Sequence, residues 1–509
     1  MRAHRNAFLM LAALAMLAVA AADVAQAQKY GNRGTPNVGA SRPPSGGGGG
    51  GNYGGNRGGG YRGPGWGVVV PGIIMAIPPS GPGPGAVFVD DGTVDDGPRA
   101  PRRPPQRATR RGPSGAPPAN ERRLVPDEVV IGLSNSVTPQ QVDALQRRHR
   151  LTRIEQQASQ LAGITMYRWR IPDRRSVPAV VRELEADNVV ASAQPNYLFT
   201  LQESEAPTAA AVADELPQYE LAKLNLPRAH ELAKGDNILI AVIDSGIDVS
   251  HPELAGAIAG SFDALTTPMA AHKHGTGIAG MIVAHGKLKG AAPAARILAV
   301  RAFDPKDAGA EGTTFNILKG LDWAAAQGAH VINMSFAGPS DPAIAKSLAA
   351  AHKKGIVLIA AAGNAGAKSP PLYPAADANV IAVTATDADD KLVEQSNRGR
   401  HVAIAAPGAQ LLVAIPDGGY EIASGTSYSA AEVSGIAALM LERKGDLSPN
   451  KLRDILLATA KDLGPKGRDA MFGAGLADAY GALTMDETPV AAAAPMPRPA
   501  VKRVSTGAR

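Results

Sequence analysis

Four side chains of different chemistry stand in a fixed order along the 509 residues: Asp244 in AVIDSGID, His274 opening HGTGIAG, Asn364 closing AAAGN, and Ser427 in GTSYSAAEVSG. They lie 30, 90 and 63 residues apart. A hydroxyl, an imidazole, a carboxylate and a side-chain amide are the four groups that amide hydrolysis through an ester intermediate requires. The hydroxyl attacks, the imidazole carries its proton, the carboxylate orients the imidazole, and the amide donates to the oxyanion. Cysteine is absent, which excludes a thiol nucleophile, disulfides and thiolate metal sites.

Such groups work only if rigid elements hold them. From about Leu216 to Leu483, short apolar runs (NILIAVID, RILAVRAF, HVINMSF, GIVLIAAAG, NVIAVTAT) alternate with helical stretches near Thr314 to Gln327 and Asp341 to Lys354. Continuous apolar strands joined by helices predict a parallel sheet covered on both faces, a three-layer α/β/α domain over 216–485. Functional groups collect beyond the carboxyl ends of such strands. Asp244 ends one strand and Asn364 follows another, while His274 and Ser427 open predicted helices.

Upstream, LVPDEVVIGL and ITMYRWRI read as strands, TPQQVDALQRRHRL and SVPAVVRELEAD as helices capped by Thr138 and Ser176, and NVVASAQPNYLF as a final strand. This β-α-β-α-β order predicts a small α+β, ferredoxin-like domain over 122–200, an antiparallel sheet with two helices on one face. Residues 201–215 are Ala- and Glu-rich without apolar period and read as a linker. Residues 1–27 combine Arg2 and Arg5, an apolar run and Ala25-Gln26-Ala27, the pattern of an export signal. Residues 28–121 are Gly-, Pro- and Arg-rich and predict a disordered segment, as do residues 486–509. The net charge is +6, and 13 Lys and Arg against 5 Asp and Glu lie between Gln28 and Arg123. That basic tail suits contact with an anionic envelope surface; nothing indicates specific nucleic-acid binding.

The four motifs, together with GAAPAARI, VINMSFAGPS, IAAPG and FGAGLADAYGAL, resemble the subtilase family of serine proteases across nearly all of 216–483. The resemblance implies Ser427 as nucleophile, His274 as general base, Asp244 as its orienting carboxylate and Asn364 as oxyanion donor beside the Ser427 N–H. Asp248, His272 and Ser429 are the neighbours that could be confused with these. Asp248 follows Gly246 in the turn, His272 reads as a solvated loop residue, and Ser429 faces another side of its helix. Departures from the family pattern are Gly277, where a second histidine is frequent, and Ala431-Glu432, where Pro-His is common. By resemblance Ser335, Phe336 and Ala337 with Ala361, Ala362 and Gly363 form the walls of the primary specificity pocket, and Leu372 its floor. An apolar pocket for small or medium uncharged side chains is expected.

Catalysis in this family needs no cofactor, and no metal ligand set is assigned. Many relatives hold structural calcium; Glu253 matches one ligand position, but AHGKLKG supplies no Asn- or Asp-rich stretch, so that site is expected to be missing. The upstream domain resembles the propeptides of secreted subtilases. It implies an intramolecular inhibitor and folding aid, with cleavage between Tyr197 and Glu215 and polypeptides as substrates. An exported, periplasmic or extracellular monomer is expected. A reading of another class is a non-catalytic envelope protein on the same scaffold, which labelling by an active-site serine reagent would distinguish.

Overall fold

The computed structural model describes residues 114–202, 218–268, 270–306 and 309–485. The expected export signal, most of the 28–121 segment, residues 203–215 of the linker and the 486–509 tail lie outside them. Residues 114–121 depart from expectation. The Ser114 hydroxyl and Gly115 N–H donate to the Glu185 carboxylate, and Ala116 packs on the upstream core, so the ordered unit begins before Glu121.

The upstream domain runs β1 (Leu124–Ser134), α1 (Pro139–His149), β2 (Thr152–Ser159), β3 (Ile164–Arg170), α2 (Val177–Glu185) and β4 (Val190–Leu201). Helix α1 starts at a capping box: Thr138 Oγ1 accepts from Gln141 N–H and Gln141 Oε1 from Thr138 N–H. Ser176 stands at the start of α2 but makes no side-chain cap, contrary to expectation. The strand TRIEQQAS was not anticipated; it is a largely polar edge strand that pairs, among the described residues, with β3 on one side, so little apolar burial marks it. It completes the β-α-β-β-α-β order of a ferredoxin-like unit. Trp169, Leu184 and Ile131 centre its core.

Two short helices, α3 (Tyr219–Lys223) and α4 (Leu226–Ala229), lead into the second domain. Next come β5 (Leu239–Asp244), β6 (Ile258–Asp263), α5 (Lys273–Val283), β7 (Arg296–Arg301), β8 (Phe303–Lys306), β9 (Gly309–Thr313) and α6 (Thr314–Ala326). The domain continues through β10 (Val331–Met334), β11 (Phe336–Ala337), α7 (Pro342–Lys353), β12 (Val357–Ala361), β13 (Val380–Thr386) and β14 (Val402–Pro407). It closes with β15 (Leu411–Ile415), β16 (Gly419–Ala423), α8 (Thr426–Lys444), α9 (Pro449–Thr459) and α10 (Ala479–Thr484).

Its central sheet is parallel, in the order β14-β13-β12-β10-β5-β7-β6. The alternation of a strand's side chains fixes the three layers. On β5, Ile240 and Val242 join the core beneath α5 and α8, while Ala241 and Ile243 join the core beneath α6 and α7. The antiparallel hairpin β15-β16 turns through Asp417 and Gly418, both at positive φ (63° and 71°), a conformation that an Asp-Gly pair adopts readily.

A second sheet joins the two domains. Strand β4 pairs with β1 along its first part, and its end runs between β9 and β11. Leu198, Phe199 and Thr200 oppose Thr313, Gly312 and Glu311 on one side; Thr200 and Leu201 oppose Ala337 and Phe336 on the other.

Candidate active site

Asp244 ends β5 and His274 sits in the first turn of α5, both fully buried. His274 Nδ1 lies 2.7 Å from Asp244 Oδ1. That oxygen also accepts from Ser245 N–H at 2.7 Å and the Ser245 hydroxyl at 3.1 Å, so three donors fix the carboxylate. The Ser245 hydroxyl in turn accepts from Gly275 N–H, tying the strand end to the helix of His274. His272 is not a solvated loop residue. It is the N-cap of α5, where its Nδ1 accepts from His274 N–H at 3.4 Å and lies 3.1 Å from the Ser245 hydroxyl. Asp248 is taken up by Ser250 and Asp417, and Ser429 donates to Pro407 and Ala406 carbonyls, so neither competes for the site.

Ser427 occupies the first turn of α8, where unsatisfied N–H groups favour negative charge. Its hydroxyl donates to the Gln202 carbonyl at 2.5 Å and reaches the Ser335 carbonyl at 3.2 Å. Asn364 Nδ2 donates to the same Gln202 carbonyl at 2.9 Å. The orientation of that amide is set from behind. Asn364 Oδ1 accepts from Thr426 N–H at 3.1 Å and from the Thr426 hydroxyl at 2.8 Å, which turns the NH2 outward. Gly363 precedes it with φ of 109°, and a Cβ there would meet Asn397 Nδ2 at 2.3 Å. Asn397 binds Ala362 and Ala365 through its side chain and Gly363 through its N–H, clamping the whole turn.

The end of β4 therefore lies in the cleft as an extended peptide held by backbone pairing. Gln202 N–H donates to the Ser335 carbonyl at 3.1 Å. Of the residues expected in the linker, Leu201 belongs to this strand and Gln202 directly follows it. Gln202 Oε1 accepts from Asn364 N–H, while its Nε2 folds back onto the Thr200 and Leu201 carbonyls. Among the pocket residues, Ser335, Ala361 and Ala362 are fully buried, and Ala337 pairs with Thr200. Leu372 packs on the same turn, its Cδ1 only 3.2 Å from where a Gly363 Cβ would stand. Phe336 departs from its expected place. Its ring meets Phe199 edge-on at 5.9 Å and Phe303 at 4.9 Å, so it serves the site of Phe199, three residues before Gln202. Gly338 completes that site, because a Cβ there would strike Phe199 Cδ1 at 2.3 Å.

The upstream domain is tied down at the starts of two helices. Asn196 Oδ1 accepts from Phe315 N–H at the start of α6, and Gln194 Oε1 accepts from Ala343 N–H at the start of α7. Gln194 Nε2 also donates to Asp341 at 2.7 Å, and Tyr197 N–H to the Thr314 hydroxyl at 2.8 Å. On the far edge Asp322 accepts from the Ser159 hydroxyl and Leu161 N–H, and Lys319 pairs with Glu155. Burial pushes the Asp322 and Asp341 carboxyls above their usual range.

Glu253 is wholly buried, and its oxygens accept from the N–H groups of Gly286, Lys287 and Leu288 and from the Tyr420 hydroxyl at 2.8, 2.8, 3.1 and 2.7 Å. Donors pointing at a carboxylate are opposite in polarity to the oxygen cage that calcium requires, so the residues at this loop do not fit that ion. Sequence reasoning missed Ser245, Thr426, Asn397 and Gln202. Thr426 and Ser245 adjoin motif residues and could have been suspected; Asn397 and Gln202 carry no local signal.

Residues 235–475 match the model of the subtilase family, and residues 111–196 that of the fervidolysin N-terminal prodomain. The chain is 35% identical over 274 residues to thermitase of Thermoactinomyces vulgaris, covering 52% of this chain and 95% of thermitase. It is 35% identical over 318 residues to a thermophilic serine proteinase of Bacillus sp. (strain AK1), covering 61% and 76%. Among solved structures, fervidolysin of Fervidobacterium pennivorans, described as a keratinolytic enzyme related to subtilisin, aligns with a TM-score of 0.62 at 23% identity. That alignment covers 72% of this chain and 62% of the fervidolysin chain, and it bears on the fold.

Proposed function

We infer that this chain, which belongs to the subtilase family and is a serine endopeptidase with an N-terminal prodomain, is made as a zymogen that cuts itself between Gln202 and Glu203. The observation that carries the reading is the Gln202 carbonyl, which accepts from both the Ser427 hydroxyl and the Asn364 side-chain amide. A carbonyl carbon lies about 1.2 Å from its oxygen, so the carbon of Gln202 stands within reach of the Ser427 hydroxyl.

In the mechanism that follows, Ser427 Oγ adds to that carbon while His274 Nε2 takes its proton. Asp244 holds Nδ1–H and stabilises the imidazolium. The carbonyl oxygen becomes an oxyanion held by Asn364 Nδ2 and the Ser427 N–H. His274 then returns the proton to the nitrogen of Glu203, the C–N bond breaks, and residues up to Gln202 remain as an ester on Ser427. Water, deprotonated by His274, then adds to the ester carbon, the bond to Ser427 Oγ breaks as His274 returns the proton to that oxygen, and the prodomain leaves with a free carboxylate. The same groups would act in trans on extended polypeptides laid between β9 and β11, with a large apolar side chain at the Phe199 position.

Until it dissociates, the cut prodomain still fills the cleft, which supports its role as inhibitor. Its side chains cap α6 and α7, which supports a role in assembling the slowly folding parallel sheet. Export follows from the pattern of residues 1–27, and an anionic envelope surface remains the partner suited to the basic segment. We propose further that Glu253 and its N–H cradle replace the calcium loop of relatives and that the enzyme needs no cofactor. An active-site serine reagent tests the catalytic reading: matured wild type should take one equivalent and Ser427→Ala none, whereas an unlabelled wild type would leave a non-catalytic scaffold.

A further inference from the structure

Helix α5 has no side chain at Gly277, three residues after His274, and the space beside it is filled from α8. A Cβ on Gly277 would stand 3.4 Å from Tyr428 Cε1, 3.4 Å from the Ala414 carbonyl and 3.5 Å from Val413 Cβ. These are ordinary contacts for one carbon, but they come from two elements, the Tyr428 ring and β15, and a branched side chain must displace one of them. Tyr428 directly follows the nucleophile and is only 1% exposed. Its ring lies 6.0 Å, centroid to centroid, from the His274 imidazole, tilted by 48°.

We propose that Tyr428 is a positioning residue for the base, and that the missing side chain at Gly277 is the vacancy that admits its ring. The physical need is specific. An imidazole tied through Nδ1 to one carboxylate oxygen can still turn about its side-chain bonds, because the terminal torsion of histidine is broad. A tilted aromatic ring 6.0 Å away, centroid to centroid, limits that freedom from one side. That ring belongs to the residue next to Ser427, so base and nucleophile are referred to the same turn of α8. Gly277 and Tyr428 are then one feature: filling the first position expels the ring from the second.

The inference rests on His274 being the base, so His274→Ala is measured in the same series. If that variant keeps wild-type turnover, the catalytic reading itself falls. With His274→Ala inactive, steady-state kinetics of the matured enzyme on a peptide carrying the Phe199-to-Gln202 sequence decide the proposal. Tyr428→Ala should lower kcat by about 10²-fold, the scale of a misplaced catalytic group, with KM changed less than about threefold. Tyr428→Phe keeps the ring and should stay within about threefold of wild type in kcat. Gly277→Leu should lose at least about tenfold, and Gly277→Leu/Tyr428→Ala, in which the new side chain occupies the space of the ring, should be faster than Gly277→Leu alone. If Tyr428→Ala fails to fold, Tyr428→Leu reads the same division between kcat and KM. Wild-type kcat in folded Tyr428→Ala or Tyr428→Leu overturns the proposal. So does a Tyr428→Phe loss equal to that of Tyr428→Ala, which would move the role to the hydroxyl, or a double variant no faster than Gly277→Leu.

Discussion

Replacing Asn364 by leucine removes the Nδ2 donor at nearly constant volume and leaves the Gln202 carbonyl with fewer donors. In the docked state that hydrogen bond, 2.9 Å long, is to a neutral carbonyl. A neutral bond of this kind contributes about 1 kcal/mol net. When Ser427 adds, the oxygen gains a full charge inside a buried site, and only the strengthening between these two states lowers the barrier. Loss of such a donor raises the barrier by about 3 kcal/mol, or about 10²-fold in rate. Thr426→Val acts one step further back. It removes the hydroxyl that accompanies the Thr426 N–H in anchoring Asn364 Oδ1, so the amide keeps one of its two anchors and the loss should be nearer tenfold, about 1.4 kcal/mol. Because Thr426 works through Asn364, the double variant should be scarcely slower than Asn364→Leu alone. The assay is the first-order appearance of mature enzyme, followed by intact mass, with the fraction folded measured in parallel. Wild-type maturation in Asn364→Leu would refute the reasoning, as would a Thr426→Val loss exceeding that of Asn364→Leu.

Gly338→Ala should close the site that Phe199 fills, slowing maturation and shifting cleavage of a peptide library toward smaller side chains at that position; an unchanged aromatic preference would contradict it. Chelator should leave the melting temperature of the matured enzyme unchanged, while Glu253→Ala, which strands four donors, should destabilise it by several times the about 1 to 3 kcal/mol of one unpaired group, less what water recovers. Glu432 lies in α8 with neither carboxylate oxygen hydrogen-bonded among the described residues, and burial, then the charge of Glu220, raises its pKa well above the ordinary value. A carboxyl that binds its proton more tightly when folded costs nothing below the unfolded pKa, and its penalty grows as pH rises from there to the folded value. Glu432→Gln should therefore leave stability unchanged near pH 4 and increase it at pH 7 and above, read by urea unfolding; equal gains at both would show that ionisation is not the cause.

The groups proposed for chemistry were legible because each sits within a few residues of a strand end or helix start, where local pattern and position in the sheet coincide. The sheet itself was legible for the same reason, since NILIAVID and GIVLIAAAG are buried on both faces and read as unbroken apolar runs. Strand β2 was not, because a polar edge strand carries no such run. The Asp417-Gly418 turn was a usable signal for the β15-β16 hairpin. Residues that orient others were less visible. His272, Thr426 and Asn397 act through hydrogen bonds between loops, and no periodicity encodes which side chain an imidazole or amide will meet. Phe336 and Gln202 were hidden for a further reason: their places depend on the register with which β4 enters the cleft, a property of two docked domains.

Identification of the chain ends formed by wild type, beside Ser427→Ala made in the same way, tests the central claim most directly. Intact mass and terminal sequencing should give a prodomain ending at Gln202 and an enzyme beginning at Glu203, formed at a rate independent of protein concentration, with that bond uncut in Ser427→Ala. A primary cut elsewhere would contradict the assignment of the Gln202 carbonyl to the oxyanion position, and cutting of Ser427→Ala at this bond would contradict self-processing by Ser427.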